Sequence, residues 1–225
     1  MAEDYDRLSP LGEHQSKKLG EFWVQHRIEF DICYCGPAKR HRGTLDIAAE
    51  VVRGAGMKWP QVETLSDLDE FDAFRMMQLL TPILVDSDSE VRKLNETFRA
   101  EPNSPEAGYR LQKLFEAVAR RWCSGEYDNG EFETWSQFRN RVAAAISRVR
   151  QEAGRGRNIL VITSGGPIAA TVSTILDLPP LASIELLWMS RNASFTELLY
   201  NDQRVTMHSF NSIPHLDSRD LLTYR

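Results

Sequence analysis

The fifteen residues from Asn158 to Val172, NILVITSGGPIAATV, constrain the fold of this chain more than any other segment. Ile159 to Ile162 is an apolar run of strand length, Thr163, Ser164, Gly165 and Gly166 form a turn, and Pro167 opens a helix. A buried strand that turns straight into a helix is the unit of an α/β crossover. The same turn can do chemistry. N–H groups in a glycine turn, and the first unpaired N–H groups of the helix behind it, point above the strand end and stabilise an anion there. A plain crossover with glycines for tight packing fits the same residues.

Strands and helices alternate along the rest of the chain. Ser9 and Pro10 cap and open a first helix over about residues 10 to 25, with Leu11, Lys18, Leu19 and Phe22 at helical spacing. Phe30 to Cys35 reads as a short strand stopped by Gly36 and Pro37. The next helix carries Leu45, Ala48, Ala49 and Val52 on its inner stripe and closes at Gly54 and Gly56. Residues 72 to 130 read as a helical insertion, with Pro82 as an interruption and Ser104-Pro105 opening a helix that carries Leu111, Leu114, Phe115, Val118 and Trp122. After a turn at Asn129-Gly130, a helix holds Trp135, Phe138, Val142, Ile146 and Val149 on one face, and Arg139, Arg141, Arg148 and Arg150 decorate its other sides. The tail from Ile184 to Phe210 reads as strands around a turn at Asn201-Asp202, giving the sheet an antiparallel edge.

Composition narrows the setting. At 225 residues, 42% hydrophobic and 26% charged, residues 1–225 fit one globular domain. The apolar stretches, such as Ile159 to Ile162 and Ile184 to Met189 around Glu185, are strand-sized and far short of the roughly 20 residues that cross a bilayer. The start, MAEDYDRL, is acidic and unlike a signal peptide. Cys33, Cys35 and Cys123 form no C-x-x-C pair, so they read as core thiols of a reducing, cytoplasmic compartment, with no metal site or cofactor expected. A net charge of −5 argues against a nucleic-acid partner. The local exception is Lys39, Arg40, His41 and Arg42, a basic turn directly after a strand.

In an open, mostly parallel sheet, ligands collect where the turns after the strands converge. The basic turn at 36–42 and the glycine turn at 163–166 are both such ends. Arginine suits phosphate there, because its planar fork holds two oxygens and keeps its charge. A nearby carboxylic acid could deliver a proton to a leaving oxygen, and Ser66 to Asp72, SDLDEFD, supplies four candidates.

Six segments in order, DYDRLSPLGEHQSKKLG, YCGPAKRHRGTLDIAAEV, LDEFD, ETWSQFRNRV, ILVITSGGPIAA and SRNASFTEL, resemble the histidine phosphatase, or phosphoglycerate mutase-like, superfamily from about Tyr5 to Asn211. The resemblance is closest to bacterial members with a helical insertion. It implies a three-layer α/β fold, with a mostly parallel sheet and helices on both faces, and a substrate that is a phosphorylated small molecule or phosphoprotein. Members of this family begin with a strand ending in Arg-His-Gly, whose histidine attacks phosphorus. This sequence contains no such tripeptide, and its first residues match the segment that normally follows it, so the first central strand and the nucleophile are expected to be absent from the chain. On the same resemblance Arg40 is the second phosphate-binding arginine. Glu70 is the general acid, ahead of Asp67 and Asp69. Ser164, followed by Gly165, stands where the second histidine belongs.

Of the histidines, only His41 lies where it could reach a phosphate. Loss of a nucleophile has cost about 10⁶ in rate in other hydrolases, roughly 8 kcal/mol. Three readings follow. The first is a phosphohistidine phosphomonoesterase whose Arg-His-Gly segment lies upstream, this chain alone being nearly inactive. The second is a non-catalytic phosphate-binding or interaction module. The third is a serine hydrolase using Ser164, although T-S-G-G lacks the first glycine of G-x-S-x-G and no His-Asp pairing is evident.

Overall fold

A computed structural model describes residues 6–224. The first helix is α1 (Pro10–Gln25), opened by Ser9, whose hydroxyl accepts from the Gly12 N–H, with Pro10 in the first turn. Next come β1 (Ile32–Cys35), α2 (Lys39–Gly54) and β2 (Val62–Thr64), followed by a short 3₁₀ turn at Ser66–Leu68. A run of helices follows: α3 (Ala73–Ser87), α4 (Ser89–Ala100), α5 (Ala107–Ser124) and α6 (Trp135–Ala153). The chain returns through β3 (Ile159–Ile162), α7 (Gly165–Ile175) and α8 (Pro180–Met189), and finishes with β4 (Phe195–Tyr200) and β5 (Val205–Ser212).

The three parallel strands are ordered β2-β1-β3, with Cys33 opposite Leu160 and Cys35 opposite Ile162. Strand alternation divides their side chains between two layers. Cys33, Cys35 and Ile162 pack on one face with Leu19 and Trp23 of α1 and Leu45, Ala48 and Val52 of α2. Tyr34 on the other face packs with Ala145 and Val149 of α6. Burial pushes the thiols of Cys33 up to about 12 and Cys35 up to about 11, so they are inert packing groups. A third cluster joins the helical segment to the rest: Phe71, Trp122, Trp135 and Phe138 pack with Ala169 and Ala170 of α7.

Several sequence expectations change. Ile184–Met189, expected as a strand, belongs to α8, because Ser183, Ile184 and Leu187 are buried at helical spacing and Pro180 supplies a helical first turn. Pro82 does not interrupt α3, whose buried Met76, Leu80 and Leu84 hold the helix through the lost N–H. The helix expected at Ser104-Pro105 starts at Ala107, and α7 starts at Gly165, ahead of Pro167. Lys39 to Arg42, expected as a turn after the strand, form the first turn of α2 itself. The antiparallel pair is present as a ladder of its own, β4-β5, so β3 is an edge strand among the described residues.

His215 lies between Phe22 and Phe195, with both ring centroids 6.0 Å away, and is 6% exposed. Burial pushes its pKa down to about 4 from an ordinary value near 6.5. Between these values the unfolded chain takes up a proton that the folded chain refuses, so stability falls as pH drops from 7 and levels off below 4. The expected loss is about 2 kcal/mol after allowing for partial solvent access. Urea titrations at pH 7 and 4.5 should show it in the wild type and show less of it in His215→Phe; equal losses in both would place the acid sensitivity elsewhere.

Candidate functional site

Because β1 and β3 are adjacent and parallel, the turns that follow them leave the sheet side by side. The Gly36 N–H donates to the Ile162 carbonyl at 2.8 Å and joins the two turns. The N-termini of α2 and α7 therefore meet. Positive helix ends pointing together favour an anion between them, and cationic side chains there are opposed by the helix field. Yet the first turn of α2 carries Lys39, Arg40 and Arg42 and no acid. Asp6 offsets this: Oδ2 accepts the Lys39 N–H at 2.8 Å and Oδ1 meets Arg40 Nη1 at 2.7 Å. Burial alone would raise the Asp6 pKa, but the Lys39 N–H and the Arg40 guanidinium outweigh it and hold the carboxyl below its ordinary range.

Ser164 is the N-cap of α7, but its hydroxyl caps no helix N–H. Instead Ser164 Oγ accepts from Arg40 Nη2 at 2.9 Å and lies 2.5 Å from His41 Nε2. His41 is 2% exposed, whereas Ser164 is half-buried. Gly36 makes the imidazole's position available, since a Cβ there would overlap His41 Nδ1 and stand 2.9 Å from the Leu68 carbonyl. Arg40, Ser164 and the adjoining Gly165 thus form one cluster, as the sequence led us to expect, with His41 at its back.

Glu70 completes it from the loop after the 3₁₀ turn. Its Oε2 accepts the Gly166 N–H at 3.1 Å and its Oε1 accepts the Phe71 N–H at 3.2 Å. The other two acids are not placed this way: Asp67 is exposed, and Asp69 Oδ1 accepts the Glu70 N–H at 2.9 Å. Arg141 of α6 fixes the loop, donating from Nη1 to the carbonyls of Asp67 and Asp69, each at 2.9 Å, while Nε and Nη2 grip Glu133 at 2.5 and 2.9 Å. Thr163 adds a hydroxyl bond to the Leu68 carbonyl at 2.6 Å. Sequence reasoning missed both Asp6 and Arg141. Helical spacing puts Arg139 and Arg141 at the two flanks of the same inner stripe and cannot say which one meets the acidic loop.

A Cβ on Gly166 would overlap Glu70 Oε1, the far end of a flexible side chain that also accepts the Phe71 N–H. Gly166→Ala should therefore leave the melting temperature within about 3 °C of wild type, a surface-scale change in stability, while moving the carboxylate off the Gly166 N–H. A crystal structure of the variant with Glu70 unmoved would contradict this.

Two clefts among the described residues border neither Arg40 nor Ser164. One is lined by Ala143, Ile146, Thr171 and Val205, the other by Leu199, Tyr200 and Arg204. Among the described residues no group of three or more His, Cys, Asp or Glu side chains is placed to share a metal ion. No helix there is long and apolar enough to cross a membrane.

The fold is of the α/β class with a parallel sheet, and comparison gives the family. The model of the histidine phosphatase superfamily (branch 1) matches residues 2–122 and 100–213. The chain belongs to this superfamily. No curated protein matches it. Among solved structures, phosphoglycerate mutase from Bacillus anthracis str. Sterne is similar at 22% identity and TM-score 0.60, over 93% of this chain and 83% of that one. A mycobacterial glucosyl-3-phosphoglycerate phosphatase is similar at 19% identity and TM-score 0.59, over 92% and 87%. Phosphoserine phosphatase from Entamoeba histolytica, in complex with 3-phosphoglyceric acid, is similar at 17% identity and TM-score 0.58, over 93% and 86%. At these identities the likeness is one of fold.

Proposed function

We propose that the joined N-termini of α2 and α7 form the phosphoryl seat of a phosphomonoesterase, with Arg40, Ser164 and the Gly165 N–H as phosphate ligands and Glu70 as the general acid. One observation carries this reading. Arg40 and Ser164, 124 residues apart in sequence, meet at 2.9 Å where two helix ends converge. A phosphate entering the seat competes with Asp6 for the guanidinium. Glu70, beside the glycine turn, can then protonate the leaving oxygen. The partner is a phosphorylated small molecule or phosphoprotein, and the phosphate monoesters named for the neighbours support the former. A cytoplasmic setting belongs to the same reading, since Cys33, Cys35 and Cys123 are all free and buried.

Turnover through a phosphohistidine requires a strand ending in Arg-His-Gly, which residues 1–225 do not contain. Such a strand would have the outer edge of β3 to pair with. Residues 1–225 are therefore expected to bind phosphate and to turn phosphate esters over poorly. A second reading, a non-catalytic phosphate-binding module, is favoured by the uncharged Ser164 and by the Asp6 carboxylate already seated on Arg40. Rates with p-nitrophenyl phosphate separate the two. Slow turnover that disappears in Arg40→Ala supports the enzyme, phosphate binding without turnover supports the module, and turnover unchanged in Arg40→Ala removes the site from both.

A further inference from the structure

We propose that Ser164 is a nucleophile activated by His41, so that the pocket captures a phosphoryl or phosphonyl group on serine. The inference rests on reading the same pocket as an anion seat and adds the group that attacks. Its basis is geometric. Ser164 lies two residues past β3 and begins a helix with the extended backbone usual for a capping residue (φ −94°, ψ 172°), yet its hydroxyl caps no helix N–H and meets Arg40 and His41 instead. Among the described residues its Oγ meets Arg40 Nη2 at 2.9 Å and His41 Nε2 at 2.5 Å. A guanidinium can only donate, so it takes a lone pair of Oγ and leaves the hydroxyl proton to point at the imidazole. A positive charge on the oxygen also favours the alkoxide that forms as the proton leaves. Nucleophile, base and cation are thus within hydrogen-bonding reach of one another, the arrangement that activated hydroxyls require. The His41 ring is 2% exposed, and Gly36 leaves room for it.

The step balances without a further reactant. As the Oγ–P bond forms, the hydroxyl proton passes to His41 Nε2 and the bond from phosphorus to the leaving oxygen breaks. That oxygen takes a proton from the Glu70 carboxyl, and the proton on His41 returns through solvent to the Glu70 carboxylate. The products are O-phosphoserine and an alcohol. With a fluorophosphonate, fluoride leaves as the anion and needs no acid.

The test is to treat the full chain with an alkyl fluorophosphonate, locate the adduct by peptide mass spectrometry, and follow its rate from pH 5 to 9. One adduct per chain on Ser164 is expected, forming at a rate that rises with pH through a single ionisation. Ser164→Ala should give none. His41→Gln, checked for folding by circular dichroism, should react about 100-fold more slowly, the lower end of what a positioned base contributes, and with no pH dependence. The wild-type pH profile stands even if that variant does not fold. Absence of an adduct on Ser164, a flat wild-type profile, or an unchanged rate in folded His41→Gln overturns the proposal. Inorganic phosphate provides the separation from the reading beneath it. Phosphate binding that depends on Arg40 without labelling defeats the nucleophile alone, whereas labelling that phosphate does not slow defeats the anion seat alone.

Discussion

Replacing Arg40 with alanine should weaken binding of inorganic phosphate about 10- to 100-fold while leaving the fold intact. Arg40 is the cation that reaches Ser164, and a charge-assisted hydrogen bond of this kind contributes about 1.5–3 kcal/mol, which at about 1.4 kcal/mol per decade gives that range. Stability should change little, because the Arg40–Asp6 pair is partly exposed on both sides and such pairs contribute about 1 kcal/mol or less. Arg40→Lys keeps a charge but loses the fork, so it should recover only part of the affinity. Asp6→Asn should move affinity the other way, severalfold tighter on the Coulomb scale of an exposed pair, because it removes the carboxylate that competes for the guanidinium. Isothermal titration with phosphate measures all three. Equal affinity in wild type and Arg40→Ala would place the phosphate elsewhere.

The second large effect is on stability. Trp122 of α5 is 1% exposed, with the Phe71 ring 4.6 Å, the Trp135 ring 5.5 Å and the Phe138 ring 6.1 Å away, and its Nε1 donates to the Glu133 carbonyl at 2.8 Å. Trp122→Ala should destabilise by about 3–5 kcal/mol, lowering the melting temperature by roughly 6 to 20 °C for a chain of this size. The damage should spread to the site. Phe71 follows Glu70 directly, and Glu133 holds the Arg141 that anchors the acidic loop. If the helical segment unfolds with the rest, as a single domain requires, the whole transition shifts as one. A biphasic melt in which only part of the signal moves would show that the helices fold separately.

Much of the candidate site's geometry is legible because its parts are local in sequence. The T-S-G-G turn announces a strand end and a helix start within four residues, and the basic cluster follows Gly36-Pro37 in the same way. Parallel alternation brings such ends together, which predicts Arg40 near Ser164. Glu70 was separable from Asp67 and Asp69 only by resemblance, because three acids in four residues carry no periodicity that says which one faces the glycine turn. Asp6 and Arg141 were not legible: both act across long separations on groups whose position depends on the finished fold. The stretch Ile184 to Met189 was misread for another reason, since five apolar residues broken only by Glu185 suit a half-buried strand and a buried helix equally.

The central claim is that phosphate sits between Arg40 and the start of α7. It is tested most directly by titrating the ¹⁵N-labelled chain with inorganic phosphate and following the Gly165 amide and the Arg40 Nε–H. Both resonances should shift together and saturate, and the Gly165 response should disappear in Arg40→Ala. A saturable response that leaves Gly165 unmoved, or that persists in Arg40→Ala, would contradict it.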